Sequence, residues 1–148
     1  MQESKLKSIA FAVRQKIEQV IDELPYVDVE LQNFPSGSCE VASVILGLYV
    51  QSEHGIDVVQ SVGKRPILND YRENNHVWLT VNDSLIIDIT ADQFEDFQEQ
   101  VFVGSESAFH STFEVYETRP IDFSYLNRRG SVGYGGVYKI VSTSLAST

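Results

Sequence analysis

An α+β fold, with one central apolar helix packed on an antiparallel sheet, is what this chain of 148 residues predicts. Three observations carry that expectation. The first segment places apolar residues at helical spacing, and a second helical segment is apolar nearly all round. The middle of the chain then alternates in short strand-like runs separated by turn residues.

Leu6, Ile9, Ala10, Val13, Ile17, Val20, Ile21 and Leu24 recur at helical spacing among charged residues, which predicts an amphipathic helix over 3–24, stopped by Pro25. Residues 26–37 read as irregular, punctuated by Pro35 and Gly37. A second helix is expected over 38–53, with Ser36 or Ser38 as its cap. Glu40 would fall in its first turn, where negative charge suits the helix dipole. Val41, Ala42, Val44, Ile45, Leu46, Leu48 and Tyr49 leave it little polar face, so it should be buried and central. Gly55 is placed to end it.

Residues 56–62 read as a strand and 63–74 as a polar loop. Residues 76–81 and 85–90 read as two strands of a hairpin that turns at Asn82-Asp83-Ser84. A polar turn over 91–98 precedes further strands at 101–103 and 112–118. Residues 122–129 suggest a short helix, 130–136 a flexible glycine-rich loop or lid, and 137–142 a last strand or helix. With no repeat and no linker, residues 1–148 read as one domain. Its parts are the N-terminal helix 3–24, a core over 34–94, and C-terminal strands with the glycine-rich loop over 100–148.

The net charge of −10 and a pI near 4.6 argue against nucleic acid or an anionic membrane as partner. No basic cluster exceeds the pairs Lys64-Arg65 and Arg128-Arg129. No apolar run approaches a membrane span, and the first residues run into a charged amphipathic segment rather than a signal-peptide core. The single cysteine excludes an internal disulfide, and the cytoplasm is the expected compartment.

That cysteine, Cys39, follows Phe34-Pro35-Ser36-Gly37-Ser38 at the predicted helix start. His76 stands in Asn75-His76-Val77-Trp78, and Asp88 in Ile86-Ile87-Asp88-Ile89-Thr90. A helix N-terminus and a protonated imidazole both favour thiolate over thiol, and a carboxylate can hold the imidazole in place. If the hairpin turns about Asn82, His76 and Asp88 are directly opposed on one face; a slip of one residue would put them on different faces. Taken singly, each has a structural reading: Cys39 as a small core residue, His76 as surface, Asp88 as a hydrogen-bonding cap. A metal site drawn from Cys39, His54, His76 or His110 lacks zinc-ligand spacing and a second cysteine, so no metal or cofactor is expected. His110 is an alternative base, but its loop-like context offers no Asp partner. The glycines of 130–136 lack the lysine and the setting of a phosphate loop.

Cys39 on its helix, the run Asn75-His76-Val77-Trp78-Leu79-Thr80-Val81 and the run around Asp88 together resemble the transglutaminase-like branch of the papain-like cysteine superfamily. The resemblance covers residues 34–94 and is greatest to small bacterial members such as the leader peptidases of lasso-peptide maturation. It implies a papain/transglutaminase-like fold, with Cys39 as nucleophile, His76 as general base and then acid, and Asp88 orienting His76. For the oxyanion it implies the backbone N–H of Cys39, with Gln32 or Asn33 as a second donor. Asn75 and Asp92-Gln93 are cleft-lining candidates or turn residues. Trp78 alternates to the face of His76, as a shield for the His–Asp pair or as core. The implied activity is hydrolysis of an amide or peptide bond through a thioester, on a peptide or other amide-bearing substrate. Acyl transfer and deamidation use the same triad, whereas an inert binding module would keep the fold alone.

Overall fold

The computed structural model of the chain describes residues 3–24, 29–67, 73–82, 84–122, 124 and 132–146. In chain order the elements are α1 (Glu3–Glu23), α2 (Val29–Gln32), α3 (Cys39–His54), β1 (Val58–Pro66), β2 (Glu73–Val81) and β3 (Leu85–Asp88). A 3-10 turn at Ala91–Gln93 follows, then β4 (Phe102–Gly104), α4 (Ala108–Ser111), β5 (Glu114–Pro120) and α5 (Val132–Ala146). The strands form one sheet in the order β4-β3-β2-β1-β5, every neighbouring pair antiparallel. The molecule is thus α+β, with helices against an antiparallel sheet.

The helix expected at 3–24 ends at Glu23, ahead of Pro25, and buries Leu6, Ala10, Val13, Ile17 and Val20. In α3 every residue from 41 to 50 is buried, so this helix is central. Gly55 ends it at φ +63°, a left-handed conformation that glycine takes without a Cβ clash, and its N–H closes on the Gln51 carbonyl at 3.1 Å. The N-terminus differs from expectation. Ser38 is the N-cap residue, yet it makes no side-chain capping bond; its hydroxyl donates instead to the Ser36 carbonyl at 3.4 Å.

Alternation along β2 gives the sheet two unlike faces. Leu79 and Val81, with Val58, Ile87 and Val103, join residues of α1, α3 and α5 in an aliphatic core. The other face carries Trp78, which clusters with Ala91, Phe109 and Phe113 and with the half-buried Ile86, Phe94 and Phe97. The aromatic face is where the functional candidates gather.

Three expectations are corrected. Residues 63–66, read as loop, are the second half of β1, so that Gly63 lies opposite His76. A Cβ on Gly63 would stand 2.9 Å from Phe113 Cβ and 2.9 Å from Trp78 Cη2. The glycine is therefore a place where two aromatic side chains cross the strand, not a break in it. Most of the glycine-rich 130–136, read as a loop or lid, belongs to α5. Each glycine there disfavours helix by about 1 kcal/mol, and the offset is the burial of Val137, Tyr138 and Val141 in the core shared with α1. Residues 26–37 hold the short α2 where only irregular chain was expected. The loop tip at 68–72 and most of the helix expected at 122–129 lie outside the described residues. Among the described residues no helix is long and apolar enough to cross a membrane.

Gly63→Ala should cost about 1–3 kcal/mol through overpacking. Urea unfolding followed by the fluorescence of Trp78, the sole tryptophan, measures it. An unchanged midpoint would mean that the two rings yield freely.

Candidate active site

The β2–β3 register is Val81↔Leu85, Thr80↔Ile86 and Leu79↔Ile87. The hairpin is thus centred on residue 83 rather than on Asn82, with Asn82 at φ +53° and the Ser84 N–H bonded to the Val81 carbonyl at 3.1 Å. Moving the centre by one residue moves each partner by two. His76 and Asp88 are therefore not directly opposed, which corrects the expected pairing. A two-residue displacement preserves the face, so they meet diagonally. His76 Nε2 lies 2.6 Å from Asp88 Oδ2.

Asp88 is only 2% exposed. Its Oδ2 accepts from His76 Nε2 and from His110 Nε2, each at 2.6 Å, and its Oδ1 accepts the Thr90 backbone N–H at 2.9 Å. Burial alone would push the carboxyl up. The charge of His76 and the hydrogen bonds from His110 and His76 outweigh burial and hold it well below the usual carboxylate range.

His76 is fully buried, and its ring contacts Phe94 at 5.0 Å, Trp78 at 5.6 Å and Phe113 at 5.7 Å. Burial works against its charged form. The Asp88 carboxylate, by charge and hydrogen bond, and then the Cys39 thiol overcome that and raise it to about 9. Its Nε2 is committed to Asp88, so the nitrogen left for Cys39 is Nδ1. That atom is buried and lacks a hydrogen-bond partner of ordinary geometry. The Cys39 thiol acts on the imidazole both by a side-chain hydrogen bond, short of ordinary geometry, and by charge. Cys39 is half-buried and is the first residue of α3, so its N–H is among those with no intrahelical acceptor.

His110 contradicts its sequence reading: it does have an Asp partner, the same Asp88. Ser107 caps α4 by accepting the His110 N–H at 3.0 Å, and this turns the imidazole inward. The spacing Ser107-x-x-His110 signals that cap, but nothing local points to a carboxylate 22 residues away. His76, Asp88 and His110 are also the one set of metal-compatible donors among the described residues, their atoms within 4.8 Å of one another. Two atoms sharing a zinc ion would stand roughly 3.3 Å apart. The 2.6 Å separations found are hydrogen-bond lengths. His54 is not of this group, lying at the far end of α3 against Tyr49.

The remaining candidates separate. Trp78 is buried against both imidazoles, 5.6 Å from His76 and 5.0 Å from His110. Gln93 bridges the two halves of the site: its Oε1 accepts the Gly37 N–H at 3.4 Å and its Nε2 donates to the Thr90 carbonyl at 3.0 Å. Asn75 is corrected, because strand alternation turns it away from His76, and its Oδ1 accepts from the Tyr116 hydroxyl at 3.2 Å. Asn74 takes the place expected of it, lining a groove of about 600 Å³ with Arg65, Gln93 and Phe94. Gln32 ends α2 and Asn33 follows in a turn, both exposed. Asp92 is not a cleft group: it pairs with the buried Arg14 at 2.7 and 3.0 Å. Arg65 closes the aromatic face, its guanidinium 4.5 Å from the Phe113 ring centre and bonded to Asp96 at 2.8 and 2.9 Å.

No protein-family model matches the chain, and neither does any curated protein or solved structure.

The two perturbed groups make stability depend on pH in opposite directions. Asp88 is depressed in the folded state, so its contribution is present above the ordinary carboxylate value near 4 and is lost as pH falls below it. His76 is raised, so its contribution is present below about 6.5 and is lost as pH rises through about 9. Urea midpoints at pH 3, 5, 7 and 9 should be highest near 5–6, with the alkaline decline absent in His76→Gln. Equal declines in both proteins would assign the effect to other groups.

Proposed function

We propose that the protein is a thiol-dependent hydrolase of papain/transglutaminase-like architecture that cleaves an amide or peptide bond through Cys39, His76 and Asp88. The observation that carries this reading is the His76 ring itself. One nitrogen is held by a buried carboxylate, and the other is buried, otherwise unbonded, and next to the only thiol in the chain. A histidine that served only to fill space would not leave a buried ring nitrogen unsatisfied.

In the working cycle the Cys39 proton passes to His76 Nδ1, giving a thiolate beside an imidazolium whose Nε2–H stays on Asp88. The sulfur attacks the acyl carbonyl, a C–S bond forms, and the carbonyl oxygen becomes an oxyanion within reach of the Cys39 backbone N–H. Collapse breaks the C–N bond as His76 Nδ1 delivers its proton to the leaving nitrogen. Water then attacks the thioester, its proton goes to Nδ1 and on to the sulfur, and the carboxylic acid departs. An amine in place of water would make the same site a transferase, and ammonia as leaving group would make it a deamidase. The groove by Asn74, Gln93 and Phe94 is the natural seat for the substrate chain.

The test is the rate of Cys39 alkylation by iodoacetamide in the folded protein, compared with His76→Ala, followed by amine or ammonia release from a panel of peptide amides. A free thiol is only about 3% thiolate at pH 7, so losing its imidazolium partner should slow alkylation by roughly tenfold or more. Turnover should vanish in Cys39→Ala. A thiol that reacts only after denaturation, or equally well without His76, would instead support an inert module of this fold.

A further inference from the structure

The Cys39–His76–Asp88 chemistry does not use Ser107 or His110, yet His110, 3% exposed, is buried like His76 and Asp88. Its Nε2 lies 2.6 Å from Asp88 Oδ2 and its Nδ1 lies 2.6 Å from Ser107 Oγ. An ionised carboxylate only accepts, so His110 carries its proton on Nε2 and donates it to Asp88. In the neutral ring Nδ1 is then an acceptor. The Ser107 hydroxyl must donate to it, while Ser107 Oγ accepts the His110 backbone N–H at 3.0 Å. Every donor and acceptor in the chain Ser107–His110–Asp88–His76 is thereby assigned without conflict, and the chain ends at the one open atom, His76 Nδ1.

The geometry points to His110 as a positioning residue for the reaction, one that holds Asp88 by a second hydrogen bond to the oxygen His76 uses and is itself locked in its tautomer by Ser107. The inference rests on the thiol-hydrolase reading. Its physical content is twofold. With His110 and the Thr90 N–H both engaged, the Asp88 carboxylate cannot rotate away from His76. A second donor on Oδ2 also makes that oxygen a poorer base, so the shared proton stays on His76 Nε2 and the ring presents Nδ1 to the sulfur. An imidazole is an expensive filler here. The surrounding Trp78, Phe97, Phe102 and Phe109 rings would accept a phenyl group without any polar atom to satisfy.

The experiment compares wild type, His110→Phe and His110→Gln, with His76→Ala as control. Gln keeps an N–H near the position of Nε2, and Phe keeps only the bulk. Expected are a fall of at least tenfold in Cys39 alkylation rate at pH 7 for His110→Phe and a return to within about threefold of wild type for His110→Gln. In ¹⁵N-histidine-labelled wild type, both rings should be Nε2-protonated, each with a slowly exchanging downfield Nε2–H signal. This second measurement decides the matter should His110→Phe fail to fold. A folded His110→Phe that alkylates like wild type, a His110 ring protonated on Nδ1 alone, or a stoichiometric tightly bound metal lost in His110→Phe would each overturn the inference. If His76→Ala also alkylates like wild type, the Cys–His reading itself falls. If only His76→Ala is slow, His110 alone is misassigned.

Discussion

A carboxylate withdrawn from water keeps its charge only if donors surround it, and the arrangement of this molecule turns on how that is done for Asp88. Its donors come from three places: β2 supplies His76, α4 supplies His110, and the exit of β3 supplies the Thr90 N–H. The hairpin therefore has to close in a register that keeps His76 on the Asp88 face. The cap of α4 has to turn His110 inward, and the chain has to bend directly after β3. Breaking one partner of such a buried set costs about 3–5 kcal/mol, a large share of what a domain of this size has to spare.

A second buried charge fixes the bend. Arg14 of α1 donates to the Ile89 carbonyl at 2.8 Å, the Gln100 carbonyl at 3.2 Å and both Asp92 oxygens, so the segment leaving Asp88 is held to the N-terminal helix. The Phe34 ring lies 5.0 Å from the same guanidinium, and Phe34 begins the approach to Cys39. Gln93 repeats the connection from the other side, touching Gly37 and Thr90. One cation and one carboxamide thus tie the segment that carries the nucleophile to the segment that carries the carboxylate.

The aromatic shell does electrostatic work. With Phe94, Phe109, Phe113 and Trp78 around His76, little water screens the imidazole from the carboxylate, and their attraction is stronger than it would be at the surface. Arg65 ends the shell toward solvent. It stacks on three of those rings while its charge is met by Asp96 and its N–H groups by Asp96 and Thr112. Gly63 makes the shell possible, because a side chain there would occupy the space in which Trp78 and Phe113 cross β1.

The amino-acid sequence by itself determined that Cys39 opens a buried helix and that His76 and Asp88 fall on one face of a hairpin. Helix α3 is legible from its continuous apolar run and from Gly55 at its end. The shared face is legible because strand periodicity is two and the displacement of the register was also two. Only the tertiary structure decided that the pair meets diagonally, since that depends on where a three-residue turn centres. It alone placed His110 on Asp88, because a contact across 22 residues leaves no local pattern. Gly63 and the glycines of α5 misled for one reason: glycine signals a break when read locally, but in a packed molecule it also marks close approach or is offset by burial elsewhere. Local period and parity are written in short stretches of chain; which distant groups satisfy a buried charge is settled only when the whole chain has folded around it.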